Sequence, residues 1–178
     1  MKYKFITQMK NIAENLQRLL QGHTYGEIVT ELLRAAQESG KFDPLKRNEI
    51  LHKHWFAFKC RYVDDALNAV LDYADVILED SILTDDECIS IRYMRAYLNI
   101  DENDFNKHHK EARVQQIIIS QLRKLYADNQ IDRQEAIMQS EMQGLFGLSS
   151  EQYSRYVDLV KNEAIEKGAD KQQLIRNI

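Results

Sequence analysis

Helix breakers are scarce in this chain: it has one proline, Pro44, and six glycines among 178 residues. That leaves little room for long loops and favours helices joined by short turns. Cysteine is scarcer still. Cys60 and Cys88 stand alone, which excludes a disulfide framework and a four-cysteine zinc site. No apolar run approaches the roughly 20 residues that cross a bilayer. The Phe5-Ile6 pair is broken at once by Thr7-Gln8, so a secretory leader is not expected and the cytoplasm is the expected location. A Gly-rich phosphate loop and a Gly-x-Ser-x-Gly elbow are also missing. What is present is an ordinary globular balance, 44% hydrophobic and 29% charged, in a chain long enough for one well-filled core.

The formal charge of −4 is unevenly spread. Residues 1–71 carry 11 Lys and Arg against 8 Asp and Glu, and residues 112–178 carry 9 of each. Residues 72–111 carry 4 against 11. This acidic block opposes nucleic-acid phosphate, which requires clustered Lys and Arg. It suits a solvated face, a cation or a basic protein partner.

Apolar periodicity is helical nearly throughout. Phe5, Met9, Ile12, Leu16, Leu19 and Leu20 form one stripe, and Gly22 follows. Thr24-Tyr25-Gly26-Glu27 fits a capping box for a second helix that Gly40 ends. Asp43-Pro44 opens a third, with Leu45, Leu51, Trp55, Phe58 and Tyr62 on its inner face. Residues 56–62 also alternate like a strand, but no partner strand exists, so helix is preferred. Cys60 then reads as a core residue. Asp64 or Asp65 is expected to cap the helix bearing Leu67, Val70, Leu71, Ala74 and Ile77. Cys88, Ile91, Met94, Ala96 and Leu98 mark the inner face of another. Asp101 is expected to cap the next, with Phe105 and Ala112 inside and His108-His109-Lys110-Glu111 on its surface. Ile117, Ile118, Ile119, Leu122, Leu125 and Tyr126 form the most apolar helix, expected at the centre. Ser149-Ser150-Glu151-Gln152 is a further capping box.

Two stretches copy one another at an offset of 48 residues: Asp80-Ser81-Ile82-Leu83-Thr84-Asp85-Asp86-Glu87 and Asp128-Asn129-Gln130-Ile131-Asp132-Arg133-Gln134-Glu135. Ile100 pairs with Leu148 and Phe105 with Tyr153 at the same offset. Each copy reads as a helix end, an acidic turn and a capped helix start. The aliphatic residue followed by Glu four positions later is also the second half of a calcium-binding loop. The first half is missing, because Val76 and Leu78, or Lys124 and Tyr126, stand where carboxylates should be. Capping alone occupies Glu87 and Glu135, each cap being worth about 1 kcal/mol.

These turns, with Ile100-Asp101 and Leu148-Ser149 opening the helices beyond, resemble the TerB-like tellurite-resistance family over residues 64–165. The family's turn reads Asp-Gly-x-Ile-x-x-x-Glu, and Ser81 and Asn129 replace its glycine. The resemblance implies an all-helical bundle, a link to membrane-associated or chemical-stress systems, and divalent-cation binding at acidic residues. By position those residues are Asp80, Glu87, Asp128 and Glu135.

A second set of candidates is a carboxylate row. Asp72, Asp75 and Glu79 share one helix face, where they repel one another unless something positive sits nearby. The second copy has Ser120, Arg123 and Ala127 there. Glu49-Ile50-Leu51-His52 matches the Glu-x-x-His of di-iron bundles, but once only, whereas that architecture needs it twice.

The sequence therefore predicts an all-α helical bundle with an internal duplication of a helix-turn-helix-turn-helix unit. Residues 1–62 form N-terminal helices packed on residues 63–178, in one compact unit. The expected function is a non-enzymatic interaction module that meets a protein partner, or a divalent cation, through the acidic segment 72–104. The competing expectation is a metal-dependent enzyme built from Glu49, His52, Asp72, Asp75 and Glu79.

Overall fold

The computed structural model describes residues 2–54, 58–79, 84–126 and 133–166, with residues 2–10 and 133–139 as backbone only. The helices run α1 Lys2–Gly22, α2 Glu27–Ser39, α3 Pro44–Lys53, α4 Val63–Leu78, α5 Asp85–Tyr97, α6 Asp104–Lys107, α7 Glu111–Tyr126, α8 Arg133–Phe146 and α9 Ser150–Glu166. The described residues are all helix and connection, without a strand. None of these helices is long and apolar enough to cross a membrane.

Helix α4, rather than α7, is the hub. It packs against α1, α2, α5 and α7. Burial on several sides requires apolar residues around most of its circumference, and α4 supplies Val63, Ala66, Leu67, Ala69, Val70, Leu71, Tyr73, Ala74, Ile77 and Leu78. Ala66, Ala69 and Ala74 are fully buried. Their small side chains let neighbouring helices approach. Each fully buried Leu here contributes about 1.5–3 kcal/mol, so Leu71→Ala would cost about 2–5 kcal/mol once the cavity is included. Helix α7 is more one-sided. It packs against α4, α6, α8 and α9 and leaves Ala112, Arg113, Gln116 and Ser120 exposed.

Several helix ends follow the sequence. Asp43 accepts the Leu45 amide at 3.0 Å. Thr84 and Glu87 form a reciprocal box, with the Thr84 amide donating to Glu87 at 2.7 Å and the Glu87 amide donating to Thr84 Oγ1 at 3.3 Å. Ser149 and Gln152 exchange the same pair at 3.0 and 3.1 Å. Asn99 and Gly147, 48 residues apart, both take positive φ, 57° and 67°. The Ile100 amide closes on Arg95 O and the Leu148 amide on Gln143 O, the six-residue closure of a Schellman end. Gly147 has a second constraint: a Cβ there would collide with the Glu102 backbone carbonyl. The starts of α4 and α7, and those of α5 and α8, also stand 48 residues apart. The third element departs from the parallel, since α6 spans four residues and α9 spans 17.

Other expectations are corrected. Residues 55–57, with the expected inner-face Trp55, lie outside the described residues, and from Phe58 on the chain is neither α-helix nor strand before α4. Phe58 is extended, and Lys59–Arg61 make a single 3-10 turn before α4. The segment 44–79 is therefore two helices. Phe58 is 74% exposed and Leu45 75%, and Cys60 lies on the surface rather than in the core. Thr24 does not cap α2. The first residue before that helix is Gly26, without a side-chain cap, and its amide donates to Asp65 of α4 at 2.9 Å. Asp65 thus serves α2 instead of its own helix, and a Cβ at Gly26 would strike that carboxylate. Asp101 does not cap a helix running to residue 112. Helix α6 begins at Asp104, and His109 takes φ 56°, which ends it and turns the chain into α7. Ala96, expected inside, is exposed on α5.

Candidate functional site

The carboxylate row on α4 is where sequence and structure meet most informatively. Asp72 is buried. Its carboxylate accepts Arg113 of α7 at 2.9 Å and the Tyr25 hydroxyl at 3.0 Å, and His23 Nδ1 lies 3.2 Å away. Asp75, one turn on, accepts the same Arg113 nitrogen at 2.7 Å. Glu79 pairs with Arg18 of α1. The repulsion expected along this face is thus met by two arginines from other helices.

The electrostatics agree with the geometry. Burial pulls the Arg113 guanidinium down, but its bonds to Asp72 and attraction to Asp75 prevail and hold its pKa above the ordinary arginine value. Burial, reinforced by Asp72, raises the Tyr25 hydroxyl far above the tyrosine range, so it stays protonated and donates. Two donors and a histidine nitrogen, from the α1–α2 turn and from α7, converge on one carboxylate. Such an arrangement locks the α1–α2 turn and α7 onto α4.

The acidic block is compensated elsewhere too. Lys59 pairs with Asp101 at 3.1 Å and with the buried Asp104. Asp104 also accepts the Asp101 amide at 2.7 Å. Burial would raise the Asp104 carboxyl, yet the Lys59 bond and that amide outweigh it, and its pKa falls below the usual value. Helix α7 also closes the end of α4: Lys124 Nζ donates to Leu78 O and to Glu79 O, at 2.6 and 2.9 Å.

Glu87 is engaged in the Thr84 box. Asp80 and Asp128 lie outside the described residues, as does the side chain of Glu135 on α8. Glu49 is exposed and pairs with Lys46 at 2.9 Å. It borders an open groove of about 700 Å³ between α2 and α3, together with Glu31, Arg34, Lys46, Ile50 and Lys53. His52 is exposed on the same helix. Among the described residues no three His, Cys, Asp or Glu side chains gather in a way that could hold a metal ion, so Glu49 and His52 are not joined there to the α4 row. The groove's lining carries both charge signs, with Lys53 already on Glu31 at 2.7 Å.

Sequence reading missed the groups that complete this site: His23, Tyr25, Arg18, Arg113 and Lys59. They stand 38 to 61 residues from their acidic partners. Only the local surplus of carboxylates hinted that cations must arrive from elsewhere. A second omission is the outer face of α5. Asp85 and Asp86 are exposed in its first turn, followed by Ile89 at 36% and Tyr93 at 57% exposure. Its inner face uses Cys88, Ile91, Met94 and Tyr97. The signal was apolar residues on both sides of one short helix.

No family model, curated sequence or solved structure matches the chain.

Proposed function

We propose that this chain is a non-enzymatic helical interaction module of a TerB-like type, whose acidic segment 72–104 meets a basic protein partner in a stress-response system. One observation carries the reading. The carboxylates that would build a reactive or metal centre, Asp72, Asp75 and Glu79, are spent on Arg113 and Arg18. In the same segment the first turn of α5 remains acidic and exposed beside apolar side chains. The stress-response assignment rests on the resemblance of the two acidic turns alone. The cation that this resemblance implies then falls to Asp80, Asp128 and Glu135.

The test is sedimentation of the tagged chain at native abundance in its own cells. A stoichiometric complex is expected that dissociates in high salt and weakens in Asp85→Asn/Asp86→Asn, since rim charges set association and its salt dependence. Sedimentation as the free 21.0 kDa chain would count against it. Thermal melting with millimolar calcium, magnesium, manganese or zinc examines the cation separately, because an ion bound to the native state must raise the melting temperature.

A further inference from the structure

Helix α5 is less amphipathic than α4 and α7. In an exposed helix the centre of the solvent-facing arc carries charge. At about 100° per residue, the outward arc of α5 runs through Asp85, Ile89, Arg92, Tyr93 and Ala96, opposite the buried Cys88, Ile91 and Met94. Its middle is apolar: Ile89 and Tyr93 stand one turn apart, both exposed, with Ala96 exposed beyond them. The one cation on the arc, Arg92, is matched by Glu141 of α8. Acid precedes the stripe, with Asp85 and Asp86 exposed, and at its far end Arg47 of α3 donates to Ala96 O at 3.0 Å.

We infer that this stripe, Asp85, Ile89, Tyr93 and Ala96, is the docking surface for a basic amphipathic helix of another protein. The inference rests on the interaction-module reading and specifies its surface and occupant. Apolar anchors one turn apart are the spacing that a helix reads when it lies against another helix. Charge complementarity decides the class of occupant. The exposed acid at the start of the stripe, with Arg92 held by Glu141 and Arg47 by the Ala96 carbonyl, selects lysine and arginine on the incoming helix and disfavours an anionic lipid surface or an acidic copy of the same stripe.

The experiment titrates the full chain with a fluorescent leucine/lysine amphipathic peptide of about five turns, followed by anisotropy. A leucine/glutamate peptide of the same pattern is the control. Ile89→Ser/Tyr93→Ser is expected to weaken binding of the basic peptide by about tenfold or more, as loss of central anchors does. Asp85→Asn/Asp86→Asn should weaken it less and flatten its salt dependence. Leu159→Ser removes an exposed leucine on α9, 40% accessible, and should leave binding unchanged. All these positions are on the surface, and circular dichroism verifies that each variant is folded. Equal loss from Leu159→Ser, or undiminished binding by Ile89→Ser/Tyr93→Ser, would overturn the assignment to α5. So would a dimer of the free chain that Tyr93→Ser dissolves, or tighter binding to anionic vesicles than to the peptide. A peptide bound elsewhere on the chain removes this surface but leaves the interaction module standing. Free sedimentation of the native chain, by contrast, removes the module itself.

Discussion

Replacing Arg113 tests whether the acidic row is part of the fold. In Arg113→Ala the buried Asp72 keeps Tyr25 at 3.0 Å and His23 at 3.2 Å, but Asp75 loses its arginine and faces Asp72 across one turn. Stranding a fully buried charge costs about 3–5 kcal/mol. Here the Tyr25 donor and the His23 nitrogen remain, and the Arg113 side chain is 44% exposed, so solvent screens much of the pair. The expected loss is about 1–2 kcal/mol, or roughly 3–6 °C in melting temperature for a domain of this size. Chemical denaturation measures it directly. The decisive comparison is the cycle with Asp72→Asn. Removing the carboxylate's charge should recover part of the loss in the double variant, a coupling of about 0.5–3 kcal/mol. Asp72→Asn alone should destabilise. Self-repulsion along the row predicts the opposite sign, because neutralising one carboxylate would then relieve the others. An Asp72→Asn protein more stable than the parent, or strict additivity in the cycle, would refute the pairing.

Asp104 gives a pH dependence of known sign. Its folded pKa is depressed, so its contribution is present above the unfolded carboxylate value and is lost as pH falls through the folded one. Acid should therefore weaken the Lys59 clasp, and Asp104→Asn should be less acid-sensitive than the parent when denaturation midpoints are compared from neutral pH down to about pH 3. The two thiols should differ in reactivity. Cys60 is exposed, whereas burial pushes the Cys88 thiol up to about 12; one equivalent of alkylating reagent should react in native buffer and a second only on unfolding, as mass spectrometry would count.

What the sequence shows well is what neighbours along the chain decide. The all-helical class follows from periodicity and from the scarcity of Gly and Pro. The caps at Asp43, Thr84 and Ser149 are local because a side chain reaches an amide two or three residues away. Asn99 and Gly147 end helices for equally local reasons. Most of the misses are non-local. Gly26 was hidden because its acceptor, Asp65, belongs to another helix. Helix α4 became the hub because it is buried around most of its circumference, whereas α7 keeps one side exposed, and that difference is set by packing partners far along the chain. Cys60 and Phe58 lie where the chain leaves α3, and helical spacing carried through that exit placed them inside. The acidic row was correctly found on one face. Its meaning was hidden because the sequence displays the surplus of one sign without the address of the other.

The bond between Gly26 and Asp65 has a consequence in time as well as in space. The acceptor for the amide before α2 lies 39 residues further along the chain. At about 5–20 residues per second of synthesis, that carboxylate follows its donor by roughly 2–8 s. During that interval the emerging α2 has no acceptor from α4 and relies on water there. The start of one helix is thus written in the sequence of another, and a nascent chain stopped short of Asp65 would present an N-terminal hairpin with an unfinished end to whatever meets it first.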